Sequence, residues 1–343
     1  MPESMRCLQV DEWGGEVHQA ETAVPEPGPN DVLVEVEATG VGRTVANVVA
    51  GNMNDDPDHL PRIPGHELVG RVLEAGEGVE HLDAGDRVTA YFHLVCGHCQ
   101  HCQAGHDPLC ENHAGWVSAH VDGGFAEYAR LPAGNAISIP EGLDAVEATA
   151  IPDAIATPYH VANAAAEIEP GEAVAVLGAG GGVGIHMVQM ARYFGAEVTA
   201  VDVVPEKLEA CERYGATHVV NAAAESLGAA GPDEFDVVVD FVGDTDLLEA
   251  AVDLLGPHGR LVNLTTFPGR TMALSPRTTV ISELSVVGSK YCSKHELRRA
   301  GALVAQGDIE PVVSEVVGFE GVPDLLERIV DNEVLGRGAM RPE

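Results

Sequence analysis

Four cysteines, Cys96, Cys99, Cys102 and Cys110, form a Cys-x2-Cys-x2-Cys-x7-Cys run, and no other feature of this 343-residue chain constrains its fold as tightly. Spacings this short bring four sulfurs together without a folded core behind them. Four thiolates at the corners of a tetrahedron are what a zinc ion binds best. The alternatives are disulfides, or thiols that are simply buried. The absence of a charged-then-apolar leader at Met1-Pro2-Glu3-Ser4 argues against disulfides, because clustered cysteines in a reducing compartment more often hold metal. The spacing predicts a zinc-held lobe over residues 93–112. A four-thiolate site has no open coordination position, so this metal would fold the lobe and do no chemistry. His98, His101 and His106 lie among the cysteines and are expected to face solvent.

Around this lobe the chain reads as two domains, the first over residues 1–150. There, 31–37 alternates apolar and polar residues as a half-buried strand does, and 68–72 and 86–91 are similar short runs separated by Gly and Pro. No helical period interrupts them, and 57–64 reads as a loop. From Ile151 the pattern changes. The run 173–177 is continuously apolar, as in a strand buried on both faces, and a helical period follows over 184–194. Further strands are expected at 197–201, 236–241, 260–264 and 284–288, with helices between them. Alternation of this kind predicts an α/β fold with a doubly wound parallel sheet over 151–288. A last helix near 295–306 opens a tail, residues 289–343.

The turn after the strand at 173–177 carries five glycines in seven residues: Gly178, Gly180, Gly181 and Gly182, then Gly184 after Val183. Glycine lets backbone N–H groups approach a pyrophosphate whose charge then sits at the helix N-terminus. Such a turn is weak evidence alone. Here it follows a strand, opens a helix, and is followed by Asp202 at the end of the next strand, which together predict a dinucleotide site. Asp202 can accept hydrogen bonds from ribose hydroxyls and would repel a 2′-phosphate. No arginine follows it, and Lys207 stands a helical turn onward, so the expected cofactor is NAD(H).

The cysteine run, the triplet Gly65-His66-Glu67 and the glycine turn, in this order, resemble the zinc-type medium-chain alcohol dehydrogenases, from Val32 to Gly336-Arg337-Gly338. The resemblance implies a GroES-like β-barrel catalytic domain, a Rossmann cofactor domain, and a C-terminal return to the catalytic domain. It also implies alcohol–carbonyl interconversion, and a pyrophosphate clamp from Arg43 and Arg337, with Thr157 assigned to the cofactor as well. Each arginine could equally be one end of a solvated ion pair. Thr44 matches the hydroxyl that hydrogen-bonds the substrate oxygen, while Asn47 replaces the relay histidine. Phe92 is a pocket candidate.

At one place this sequence departs from the family. A second zinc there polarises the alcohol oxygen, held by a cysteine, the histidine of Gly-His-Glu, and a cysteine or acid further on. The cysteine position is Gly42 and the supporting aspartate is Val45. His66 and Asp153 remain, and Glu67 could be a third donor, giving an oxygen-rich site. The alternative is that the metal is lost and His66 is an ordinary buried histidine. Two enzymatic readings follow: alcohol oxidation assisted by His66, Asp153 and Glu67, or metal-free reduction of an activated C=C bond in an enone or enoyl-CoA. A third reading, a redox sensor that keeps the fold, would leave Thr44 and His66 without a role.

A formal net charge of −35, with only three lysines (Lys207, Lys290 and Lys294), argues against nucleic acid or an anionic membrane as partners. With 45% hydrophobic residues and regular patterning, the charge does not mean disorder. It is the balance expected of a halophilic archaeal or similar source, where molar salt screens self-repulsion. No run of 18 apolar residues is present, so a cytoplasmic protein is expected. The apolar stretch 279–287 is the expected edge strand for a homodimer or homotetramer.

Overall fold

A computed structural model describes residues 2–266 and 269–342. The chain divides into two units, one of Met1–Ala156, Cys292–Gln306 and Pro311–Glu343, the other of Thr157–Tyr291 with Gly307–Glu310.

The first unit opens with an antiparallel ribbon, β1 (Ser4–Gln9) and β2 (His18–Ala23). Its main sheet forms around β3 (Asp31–Val41), which pairs antiparallel with β4 (Glu67–Ala75) and with β6 (Tyr128–Pro132). Beyond β4 lie β5 (Arg87–Ala90) and β7 (Ala136–Ser138). The alternation expected for 31–37 is broken. Val32, Leu33 and Val34 are all buried, because the register against β4 slips between Leu33 and Val34 and turns successive side chains inward.

A helix that was not expected, α1 (Arg43–Val49), begins directly after Gly42. Val45 and Val48 are its buried face, a three-residue spacing too short to register as a helical period. The stretch 57–64 contains a single tight turn, Pro57–His59, capped by the Asp56 side chain.

The second unit is a six-stranded, all-parallel sheet. Its strands are β8 (Ala173–Leu177), β9 (Glu197–Asp202), β10 (His218–Asn221), β11 (Phe235–Asp240), β12 (Leu255–Asn263) and β13 (Ser285–Gly288), in spatial order β10-β9-β8-β11-β12-β13. The reversal of strand order beside β8 makes it doubly wound, and the glycine turn lies at the C-terminal end of β8. Its core joins Leu177, Val201, Val238, Leu248 and Leu261. The stretch 279–287 is not one strand. Ser275 caps a short helix, Pro276–Ile281, and only Ser285–Gly288 joins the sheet edge.

The chain then returns to the first unit. Helix Lys294–Gln306 packs there, and β14 (Val313–Val317) pairs with β15 (Arg337–Met340), which completes the main sheet against β3. Helix Val322–Val330 contributes Val322, Leu325 and Leu326 to a core with Met5, Leu8, Val41, Val45, Phe125 and Met340. The two ends of the sequence therefore share one core. No helix among the described residues is long and apolar enough to cross a membrane.

Candidate active site

The cysteine lobe is assembled as its spacing demands. Sγ–Sγ distances are 3.5 Å for Cys96–Cys110, 3.5 Å for Cys99–Cys102 and 3.9 Å for Cys99–Cys110. Thiolates around zinc at about 2.3 Å form a tetrahedron with edges of about 3.8 Å, so the four sulfurs fit the ion. The short turns aim backbone N–H groups at the sulfurs: Cys99 N–H donates to Cys96 Sγ and Cys96 N–H to Cys110 Sγ. Donors from His98 and Cys99 bring the Cys96 thiol down to about 6, favouring the thiolate a metal needs. The lobe is tied to the returning chain. Lys294 N–H donates to Asp107 (3.0 Å), the Lys294 ammonium lies over the Tyr91 ring, and Tyr91 Oη donates to the Cys292 carbonyl (2.8 Å).

His66, Glu67 and Asp153 are brought together from distant parts of the sequence. His66 and Glu67 enter β4, whereas Asp153 lies in a wide helical turn, Ile151–Ile155, marked by the Ile155 N–H to Ala150 carbonyl bond. One donor atom from each lies within 4.8 Å of the others, and all three residues are buried. His66 Nε2 is 3.3 Å from Asp153 Oδ2, and Phe92 stands edge-on to the His66 ring at 4.7 Å between centroids. His66 Nδ1 and Glu67 Oε1 are buried with no hydrogen-bond partner.

Arg337 completes this cluster. Its guanidinium is 4% exposed and donates to Glu67 Oε2 in a buried ion pair. The reason lies at Gly42. A Cβ built there would stand 2.1–2.5 Å from three guanidinium atoms of Arg337, so any side chain at position 42 would take the volume the guanidinium fills. Strand pairing carries the arginine there, since β15 lies beside β3 and β3 beside β4. Burial pushes the Glu67 carboxyl up, with Arg337 and His66 pulling the other way. Burial also works against charge on Arg337, but Glu67 and Asp153 outweigh it, and arginine keeps its proton in proteins.

His66, Glu67 and Asp153 are a donor set that could hold a metal ion, but the remaining corner of a zinc site is closed. The 3.3 Å between His66 and Asp153 matches a tetrahedral edge of about 3.4 Å for nitrogen and oxygen ligands. Glu67 keeps Oε1 unpartnered while Oε2 is taken by a cation, but the thiolate corner is Gly42 and a guanidinium occupies that corner. A dication would have to displace a buried positive charge.

Other expected residues lie as follows. Arg43 is exposed and its guanidinium donates to the Val330 carbonyl at 2.8 Å, at the C-terminal end of helix Val322–Val330. Thr44 is half-buried on α1, and Thr157 is buried in helix Ala156–His160. In the second unit, Asp202 Oδ2 accepts from Gly180 N–H (2.9 Å), and Oδ1 accepts from Val203 N–H (2.8 Å) and Val204 N–H (3.2 Å). A carboxylate offers about four lone-pair sites, so capacity for a ribose hydroxyl remains. The Lys207 stem packs on Gly180, where a Cβ would meet it at 2.3 Å. Gly181, Gly182 and Val183 complete the turn, and at Gly184 a Cβ would fall 2.1 Å from the Gly178 carbonyl, so only glycine allows the helix to start this close to the strand.

Two family models match, the alcohol dehydrogenase GroES-like domain over residues 28–141 and the zinc-binding dehydrogenase over 182–306. An alcohol dehydrogenase of Geobacillus stearothermophilus is 33% identical over 98% of this chain and 99% of its own length. The chain belongs to the zinc-type medium-chain alcohol dehydrogenase family. Among solved members of this family, a thermostable alcohol dehydrogenase from Pyrobaculum aerophilum superposes with a TM-score of 0.89 at 33% identity, covering 99% of this chain and 100% of that one. An acryloyl-coenzyme A reductase of Sulfurisphaera tokodaii is 28% identical over 93% of this chain and 94% of its own length.

The sequence held one signal for Arg337 that its reading missed. A glycine at a ligand position says that something else fills that volume, but which side chain does so depends on strands 295 residues apart in sequence.

Proposed function

We propose that this chain is an NAD(H)-dependent oxidoreductase that interconverts an alcohol, polyol or other hydroxy compound with its carbonyl. The observation that carries the reading is the buried His66–Asp153 dyad, in a chain whose glycine turn is closed by Asp202. NAD supplies the hydride acceptor or donor when bound. Asp202 would hold its ribose, and the turn from Gly178 to Gly184 its pyrophosphate. The substrate loses a hydride from carbon and a proton from oxygen. Thr44 would hydrogen-bond that oxygen and pass its proton outward, and Asn47, in place of a relay histidine, would leave that path without a titratable side chain. His66, oriented by Asp153, can present a donor or an acceptor according to where the dyad's proton sits, suiting carbonyl reduction or alcohol oxidation respectively. His66→Ala or Asp153→Ala should abolish turnover of an alcohol panel while NADH binding, followed by fluorescence, persists. Persistence of turnover in both variants would remove the dyad from the chemistry.

A second reading, reduction of an activated C=C bond, is favoured by Gly42 and by the likeness to an acryloyl-CoA reductase. An enone and acryloyl-CoA belong in the same substrate panel. Several finer assignments go with the first reading. The first unit, which includes Asp153 and the lobe at 93–112, serves the substrate, and the second unit serves the cofactor. Zinc in the cysteine lobe is structural. The protein is cytoplasmic and comes from a source adapted to high salt. It forms a homodimer or homotetramer through the β13 edge, where Val280, Ile281 and Val286 are exposed, a state that sedimentation in high salt would test.

A further inference from the structure

The family's catalytic metal needs a thiolate where this chain has Gly42, and the same structure shows what stands in that volume. We infer that Arg337 takes the place of the second metal: its guanidinium fills the space left by Gly42 and neutralises Glu67, so the chain holds one zinc, in the cysteine lobe, and the His66–Asp153 dyad works without one. This inference rests on the reading of that dyad as the substrate site.

Three observations support it. Gly42 has φ −147° and ψ 173°, extended backbone that any residue adopts, so its glycine is explained by space and not by conformation. The space is taken, because a Cβ would lie 2.1–2.5 Å from the Arg337 guanidinium. The charge is also accounted for: Glu67 is 0% exposed and would be a buried lone carboxylate without a cation, and the guanidinium is the cation that touches it. Gly42 and Arg337 thus form one device. Arg337 is a positioning residue in it. It holds Glu67 and sets the charge around His66 and Asp153, and it also blocks the metal.

The test is a metal count on the full-length protein, purified without chelator, dialysed and analysed by mass spectrometry. About one zinc per chain is expected in the wild type, unchanged in His66→Ala. The double variant Gly42→Cys/Arg337→Gln, which restores the thiolate and removes the blocking charge, should rise to about two. A thiolate–cobalt absorption band of the second site should appear in that variant after exchange and be absent from the wild type. Two zincs per wild-type chain, one of them lost in His66→Ala, would overturn the inference. If the double variant fails to fold, the wild-type and His66→Ala counts decide alone. The count is independent of substrate. Two metals with NAD-linked alcohol oxidation intact would sink this inference and spare the proposed function. One metal, with acryloyl-CoA reduced and no alcohol turned over, would do the reverse.

Discussion

Replacing Gly42 by alanine tests the Gly42–Arg337 device through stability alone. The new Cβ would lie 2.1, 2.4 and 2.5 Å from Nη1, Cζ and Nη2 of Arg337, well inside contact distance, so the guanidinium must leave its position. Glu67, fully buried, then loses its partner. Breaking a buried pair by removing one member costs about 3–5 kcal/mol, because the remaining charge is left uncompensated. Opposing this, alanine reduces the freedom of the unfolded chain relative to glycine by about 0.4–1 kcal/mol, at a backbone geometry it accepts without strain. The net loss is about 3 kcal/mol, a fall in Tm of roughly 6–12 °C for a domain of this size. Calorimetry of the full chain would measure it, alongside Arg337→Met and the double variant. In the Arg337→Met background the alanine has no guanidinium to displace, and its added cost should fall below about 0.5 kcal/mol, a coupling that distant sites do not show. The reasoning fails if Gly42→Ala melts with the wild type, or if its effect is the same in both backgrounds.

Asp202→Ala should raise KM for NADH by about 10–100-fold, the range for losing hydrogen bonds to a charged group, and narrow any preference over NADPH; an unchanged KM would remove Asp202 from the ribose site. Cys110→Ser, or prolonged chelation, should release the lobe zinc, open residues 97–109 to proteolysis and lower Tm by about 10 °C or more, since a structural zinc contributes on the order of 10 kcal/mol to a lobe with little core. Persistence of the wild-type protease pattern after zinc loss would show that the lobe folds without it. Raising KCl from about 0.1 to 2 M should raise Tm, because the Debye length falls to about 3 Å or less and self-repulsion at a net charge of −35 is screened. A flat or falling Tm counts against adaptation to salt.

Local chemistry in this chain was readable from sequence. The four cysteines needed only their spacing, since loops of two to seven residues leave the sulfurs few ways to sit around an ion. The parallel sheet was equally plain: continuous apolar runs alternating with helical periods have few other solutions, and glycines between a strand and a helix mark a cofactor turn. Most expected strand ends came out within a few residues, though β12 starts at Leu255 and β10 was not expected, and α1 was invisible because seven residues with two buried valines carry no period.

What pairs with what across the first unit was decided by tertiary structure. Arg43 and Arg337 read alike as phosphate-binding arginines, yet one caps a helix at the surface and the other is buried against Glu67. The difference comes from β15 being laid beside β3, with the Arg337 side chain directed over the bare backbone of Gly42. Sequence alone shows that a ligand is missing there. It does not show what fills the gap, because a void is a property of several chain segments packed together, and an ion pair is strong or weak according to whether water reaches it.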